Sequence, residues 1–148
     1  MVSSRGQSKG CLATFVERKT RFYVAIKMDD RTKDSMFLAI SSLYNTLISK
    51  LLKTFTVDRG KEFACFEQVE TEFGIAMYFA DAYAAWQRGS NENSNGLLRE
   101  FFPKKTDLAK VTLDKLTEAL VLINNRPRKC FGFKTPFDMF KHEIRKLI

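Results

Sequence analysis

The sequence predicts one mixed α/β domain in which short strands alternate with helices and the chain ends in a run of helices. Three observations carry that prediction. Two β-patterned segments, 10–17 and 21–28, stand on either side of a short polar turn. Two further short apolar segments, 51–57 and 75–80, are separated by a stretch with helical spacing. From about residue 91 onward the apolar residues recur only at helical spacing. Such an order is that of helices layered on a sheet.

Gly10 to Glu17 is read as a strand, Arg18-Lys19-Thr20 as a polar turn, and Arg21 to Met28 as a second strand with Phe22, Val24 and Ile26 on one face. The short link predicts an antiparallel hairpin. Asp29-Asp30-Arg31-Thr32 marks a helix start, after which Met36, Phe37, Ile40, Leu43, Tyr44 and Leu47 form one stripe. Leu51 to Val57 is the third strand, ending at Asp58, and Arg59-Gly60 is a turn. The next helix turns Phe63, Phe66, Val69 and Phe73 inward, with Gly74 as its C-cap. Ile75 to Ala80 is a short strand and Asp81 to Ser90 a loop. A helix starting near Asn91 carries Leu97, Leu98 and Phe101 and stops before Pro103. Thr112 opens another, with Leu113, Leu116, Leu120 and Ile123 inward; a basic loop, Asn124 to Lys129, follows. Thr135-Pro136-Phe137-Asp138 opens the last helix with a capping pattern and proline at its first position.

The chain has 148 residues, enough for one domain with its own core, and neither a repeat nor a linker divides it. No apolar run reaches the length of a membrane span and the N-terminus lacks a signal-like apolar core, so no membrane is expected and the cytoplasm is the expected compartment. Twenty-five basic against 17 acidic residues give a net charge of +8, which favours a polyanionic partner. Cys11, Cys65 and Cys130 form no CxxC pair, so reduced thiols are expected rather than zinc or disulfides. Most of the 14 phenylalanines fall on inward stripes and are assigned to the core. His142 has no Ser or Cys nucleophile near it and is assigned to the surface.

Two carboxylates stand out. Asp58 lies where a strand meets a glycine turn, and Glu92 lies at a predicted helix start. Strand ends in α/β sheets collect ligand-binding residues, and oxygen donors brought together there suit Mg2+ or Mn2+. Taken alone, Asp58 reads equally as a turn residue, and Glu92 as an acidic residue favoured by the helix dipole.

The surroundings of these residues are more specific. They comprise Val16-Glu17-Arg18-Lys19-Thr20-Arg21-Phe22, Val57-Asp58-Arg59-Gly60-Lys61-Glu62-Phe63, the long segment from Asp81 through Trp86-Gln87-Arg88-Gly89-Ser90-Asn91-Glu92-Asn93-Ser94-Asn95 to Gly96, and Asn124-Asn125-Arg126-Pro127-Arg128-Lys129-Cys130 with Lys134-Thr135-Pro136. In this order, and over essentially the whole chain, they resemble the insertion-sequence-30 family of bacterial transposases.

The resemblance implies an RNase H-like, retroviral integrase-like core: a mixed sheet flanked by helices, with an Asp, Asp, Glu triad. Asp58 takes the place of the second aspartate and Glu92 that of the glutamate, both as ligands of Mg2+ or Mn2+. The implied reaction is hydrolysis of a phosphodiester at the element's end, then attack of the freed 3′-hydroxyl on target DNA. A homo-oligomer in a transposition complex is the implied assembly. The first aspartate is expected just before Met1, so residues 1–148 are expected to be a catalytic core with its first strand largely missing and no upstream helix-turn-helix region. Asp29 and Asp30 read as helix-start residues and not as substitutes.

Around the carboxylates, Trp86, Gln87 and Arg88 are candidates for DNA contact, with Trp86 reading equally as a loop anchor. Asn91, Asn93 and Asn95 are candidates for positioning DNA, though Asn is also common at helix starts. Lys61 is a phosphate candidate, and Glu62 supports the helix start. Arg126, Arg128 and Lys129 suit phosphate contact or a solvated loop; Lys104 and Lys105 suit a solvated turn. Two rivals to the transposase core remain at this level: a DNA-binding or oligomerising remnant without activity, and a nuclease for RNA–DNA hybrids, which the shared fold alone permits.

Overall fold

The computed structural model describes residues 1–47, 49–81 and 89–147. The predicted hairpin is present. Strand β2, Cys11–Val16, pairs antiparallel with β3, Tyr23–Met28, in a register running from Cys11 opposite Met28 to Val16 opposite Tyr23. β3 starts two residues later than the pattern predicts, because Arg21 adopts a left-handed backbone (φ 58) and its N–H turns back to the Glu17 carbonyl at 2.7 Å. The Glu17 carboxylate completes the turn, accepting from the Thr20 N–H at 2.7 Å and the Thr20 hydroxyl at 2.6 Å.

A two-residue strand, β1 (Val2–Ser3), lies antiparallel to β2 with Val2 opposite Leu12 and Ser3 opposite Cys11. Its connection is pinned from below. The Ser4 hydroxyl donates to the Gly10 carbonyl at 2.6 Å and accepts from the Leu108 N–H at 3.0 Å. A Cβ at Gly10 would stand 2.7 Å from the Ala109 nitrogen, so only glycine admits this close approach.

The faces of this sheet separate two cores. Leu12, Tyr23 and Ala25 pack with Leu98 of helix α3 (Gly89–Phe101) and Ile123 of α4 (Leu113–Asn124). Cys11, Ala13 and Met28 pack with Met36 and Ile40 of α1 (Lys33–Thr46), Val69 of α2 (Phe66–Phe73) and Met77 of β5 (Ala76–Phe79). At about 25 cal/mol per Å2 of apolar surface removed from water, these two layers supply most of the drive to fold.

Strand β4, Thr54–Val57, pairs in parallel with β5, from Thr54 opposite Ala76 to Val57 opposite Phe79. It begins later than the pattern predicts because Ser49–Leu51 forms a turn of 3-10 helix. Among the described residues the predicted mixed sheet is therefore in two hydrogen-bonded pieces: antiparallel β1-β2-β3 and parallel β4-β5.

The helix ends follow local chemistry. Thr32 caps α1, and Thr112 caps α4 by accepting from the Lys115 N–H at 3.3 Å. Gly74 ends α2 in the left-handed region, φ 66. At α5 (Pro136–Leu147), Thr135 and Asp138 cap each other reciprocally, the Asp138 N–H donating to the Thr135 hydroxyl and the Thr135 N–H to the Asp138 carboxylate. α5 rests on the hairpin turn: the Phe22 and Phe140 rings stack at 4.2 Å and Lys19 pairs with Glu143 at 2.8 Å.

Leu113 departs from the predicted stripe. It is 68% exposed, because it opens the first turn of α4, before the helix reaches the sheet at Leu116 and Ala119. Cys11 and Cys65 are buried, Cys130 is exposed, and all three are free. Among the described residues no helix is long and apolar enough to cross a membrane.

Candidate functional site

Asp58, directly after β4, lines a cavity of about 410 Å3 that both sheet pieces border: Thr14 and Phe15 of β2, Phe55 and Val57 of β4. The Asp58 carboxylate is half-buried, and its Oδ1 accepts the Gly60 N–H at 2.9 Å. This Asx-type turn sets the side chain's direction from within three residues.

The cavity lining also includes Ser90 and Asn91, from the first turn of α3. Glu92 stands in that turn, exposed to solvent. The fold thus brings Asp58 and the residue next to Glu92 to one cavity from distant parts of the sequence. Both carboxylates suit a hard divalent cation by donor type. Among the described residues no group of three or more His, Cys, Asp or Glu is placed to hold a metal ion. The described residues therefore fit Mg2+ or Mn2+ in kind but not in number.

Two anchors fix α3 on the sheet. The Thr14 hydroxyl donates to Asn91 Oδ1 at 3.4 Å, and the Tyr23 hydroxyl to Asn95 Oδ1 at 2.6 Å. Burial first of all pushes the Tyr23 hydroxyl well above the ordinary tyrosine range, so it remains a donor throughout neutral pH. Asn91 and Asn95 thus carry fold contacts at the positions read as DNA candidates, while Asn93 faces solvent. Neither Thr14 nor Tyr23 carries a signal in the sequence, since each is one β-pattern residue among many.

Glu62 was assigned to the helix start, and it does stand in the first turn of the 3-10 helix Lys61–Cys65. Its side chain is nevertheless only 2% exposed, with Arg31 Nη2 at 3.4 Å. The carboxylate lies so close to Gly60 that a Cβ there would meet it at 2.7 Å. Glu62 also lines the cavity with Asp58. A charged residue is the least expected occupant of such a place, so sequence pattern did not find it. Lys61 is exposed beside it.

Trp86, Gln87 and Arg88 lie outside the described residues. Lys129 is exposed, Arg126 pairs with Glu100 at 2.9 Å, and Arg128 is half-buried. These three sit beyond the C-terminal end of α4, whose Asn124 binds the Tyr23 backbone.

Over 139 residues the chain is 38% identical to the transposase of insertion sequence element IS30A of Escherichia coli, which covers 94% of this chain and 36% of that protein. It is 33% identical to the transposase of insertion sequence element IS1086 of Cupriavidus metallidurans, over 89% of this chain and 39% of that protein. The chain thus spans little more than a third of the length of these relatives. Its fold matches the crystal structure of the catalytic core domain of BIV integrase with a TM-score of 0.70, covering 94% of this chain and 97% of that one at 18% identity. No family model matches the chain.

Proposed function

Because the chain belongs with the insertion-sequence-30 transposases, of whose length it spans about a third, we propose that it is the DNA-acting catalytic core of such an enzyme. In this reading Asp58 and Glu92 are two of the three carboxylates of a metal-dependent strand-cleavage and strand-transfer site. The observation that carries the reading is the shared cavity, which is lined by both Asp58 and the first turn of the Glu92 helix.

The third carboxylate is assigned to a strand upstream of Met1. Extending the register of β1 backwards sets Met1 opposite Ala13 and the preceding residue opposite Thr14, whose hydroxyl reaches Asn91. A strand there would fill the cavity between β2 and β4 and join the two sheet pieces. Together with a third carboxylate, Asp58 and Glu92 would hold Mg2+ or Mn2+, which would supply activation of a water or 3′-hydroxyl and neutralisation of charge on the phosphodiester. The chain's own residues hold that centre. The Gly60 N–H aims Asp58, the Thr14 and Tyr23 contacts fix the helix that carries Glu92, and the basic surface holds DNA ends and target. The element ends, the target DNA and a homo-oligomeric complex are the partners of this reading.

The test compares residues 1–148 with a chain extended upstream by an aspartate-bearing strand, on a duplex ending in the element's terminal sequence, with Mg2+. Cleavage by the extended chain, its loss in Asp58→Asn and Glu92→Gln, and little or none by residues 1–148 is the expected pattern. An inactive extended chain that is folded and binds the duplex rejects the reading. That outcome favours a second one, a DNA-binding or oligomerising remnant, which rests on the +8 charge together with the incomplete donor set among the described residues.

A further inference from the structure

Among the described residues β2 and β4 each lack a neighbouring strand on one side. β1 covers only Cys11 and Leu12 of β2, so Thr14, Phe15 and Val16 pair with β3 alone. β4 pairs with β5 alone. The cavity of about 410 Å3 runs along these uncovered stretches, lined from Thr14 to Arg18 and from Lys53 to Asp58. Open sheet edges are templates for a further strand.

The Phe15 and Phe55 rings meet at a centroid distance of 5.7 Å, although no backbone ladder joins their strands among the described residues. Strands two places apart in a sheet lie about 10 Å apart, a gap that two aromatic side chains can close. At about 3.3 Å per residue, the stretch from Thr14 to Arg18 takes a segment of about five residues.

Continuing the β1 register past Met1 sets an occupant's last three residues opposite Val16, Phe15 and Thr14 in turn. Partners across a ladder share a face of the sheet, so each position asks for its own side chain. The residue opposite Phe15 meets the Phe15–Phe55 contact, which leaves room only for a small side chain. The residue opposite Val16 meets the Leu12 core and is apolar. The residue opposite Thr14 faces the Asn91 side. A carboxylate there shares the cavity with Asp58, and the two repel each other unless a cation is bound between them.

We propose that this slot binds an extended segment of a second polypeptide as an inserted strand, with its C-terminal residue opposite Thr14 and no covalent link to Met1. Main-chain hydrogen bonds along the open edges supply affinity, and the alternating side-chain positions supply selectivity. The choice of a carboxylate as last residue rests on the reading of the site as a metal-dependent core; the slot itself rests on the register and the cavity.

The test uses the whole chain and a short synthetic peptide amide ending valine-alanine-asparagine, with two lysines at its start for solubility. Binding is followed by NMR. The peptide should move the resonances of Thr14–Val16 and Thr54–Val57. Proline in place of its valine should abolish binding, because it removes a ladder donor. Leucine in place of its alanine should weaken binding about tenfold, the scale of an overpacked side chain. All changes lie in the peptide, so the chain's own fold is the same in every arm. Absence of binding, shifts confined to other surfaces, or indifference to the proline and leucine changes overturns the slot.

A second peptide ending in aspartate tests the reading beneath it. Without metal it should bind more weakly than the asparagine peptide, and Mg2+ should reverse that order. If the asparagine peptide binds as expected and Mg2+ leaves the aspartate peptide unchanged, the slot stands and the metal-dependent reading fails. If neither peptide binds but the chain extended upstream cleaves DNA, binding of a separate strand fails and the catalytic reading stands.

Discussion

Tyr23 and Asn95 meet across 72 residues of sequence, the hydroxyl donating to the amide oxygen at 2.6 Å. The same tyrosine is gripped from the other side by Asn124, which accepts from its N–H at 2.9 Å and donates to its carbonyl at 2.8 Å. One residue at the start of β3 thus joins the helix that bears Glu92 to the helix that ends in the basic loop. Removing only the hydroxyl, in Tyr23→Phe, leaves the Asn95 oxygen without that donor. A loss of about 1–2 kcal/mol is expected in urea unfolding, and an unchanged midpoint would show the bond to be unimportant.

Asn124→Ala should cost more. It strips partners from a buried N–H and a buried C=O at once, and about 3 kcal/mol is expected. Hydrogen exchange at the Tyr23 amide should accelerate in step. A slowly exchanging amide in a destabilised variant would place the loss elsewhere.

The tight approach of Gly60 to Glu62 predicts coupling. Gly60→Ala puts a methyl 2.7 Å from a buried carboxylate that is also paired with Arg31, an overpacking worth about 1–3 kcal/mol. In a Glu62→Ala background most of that penalty should vanish, giving a double-mutant coupling of roughly 1 kcal/mol or more. Additive stabilities would remove Glu62 from the account of how the Asp58 turn is held.

Tyr23 also predicts an alkaline limit. Its folded pKa is raised above the ordinary value of 10.0, chiefly by burial, so the unfolded chain loses this proton first as pH rises. The stability tied to the protonated hydroxyl is fully present below pH 10.0 and declines above it, towards the higher folded value. Tyr23→Phe should unfold less steeply with pH in that range; parallel curves for the two proteins would contradict the assignment.

At the acid end the group to follow is Glu143. Its hydrogen bonds from Lys146 and then Lys19 lower its carboxyl from 4.5 to about 2. A lowered carboxylate stabilises the fold above its unfolded pKa, and that contribution is lost as pH falls from 4.5 through about 2. NMR titration should find the depressed midpoint and see it rise towards the ordinary value in Lys19→Gln. A midpoint indifferent to that change would mean that α5 does not rest on the hairpin through this pair.

The sequence by itself determined what is decided within a few residues. The Thr112 cap, the Thr135–Asp138 capping box, the left-handed Gly74 and the hairpin of β2 and β3 were all legible, because each depends on backbone groups close in the chain. The motifs around Asp58 and Glu92 were legible as a resemblance, and their meeting at one cavity came from the fold. Only the tertiary structure decided that Glu62 is buried against Gly60, that Leu113 faces solvent, and that Tyr23 ties Asn95 to Asn124. It also decided that, among the described residues, β4 pairs with β5 alone and the sheet lies in two pieces. These depend on which distant surface packs against a residue, and the periodicity of a short segment says only that a face will be covered, not by what.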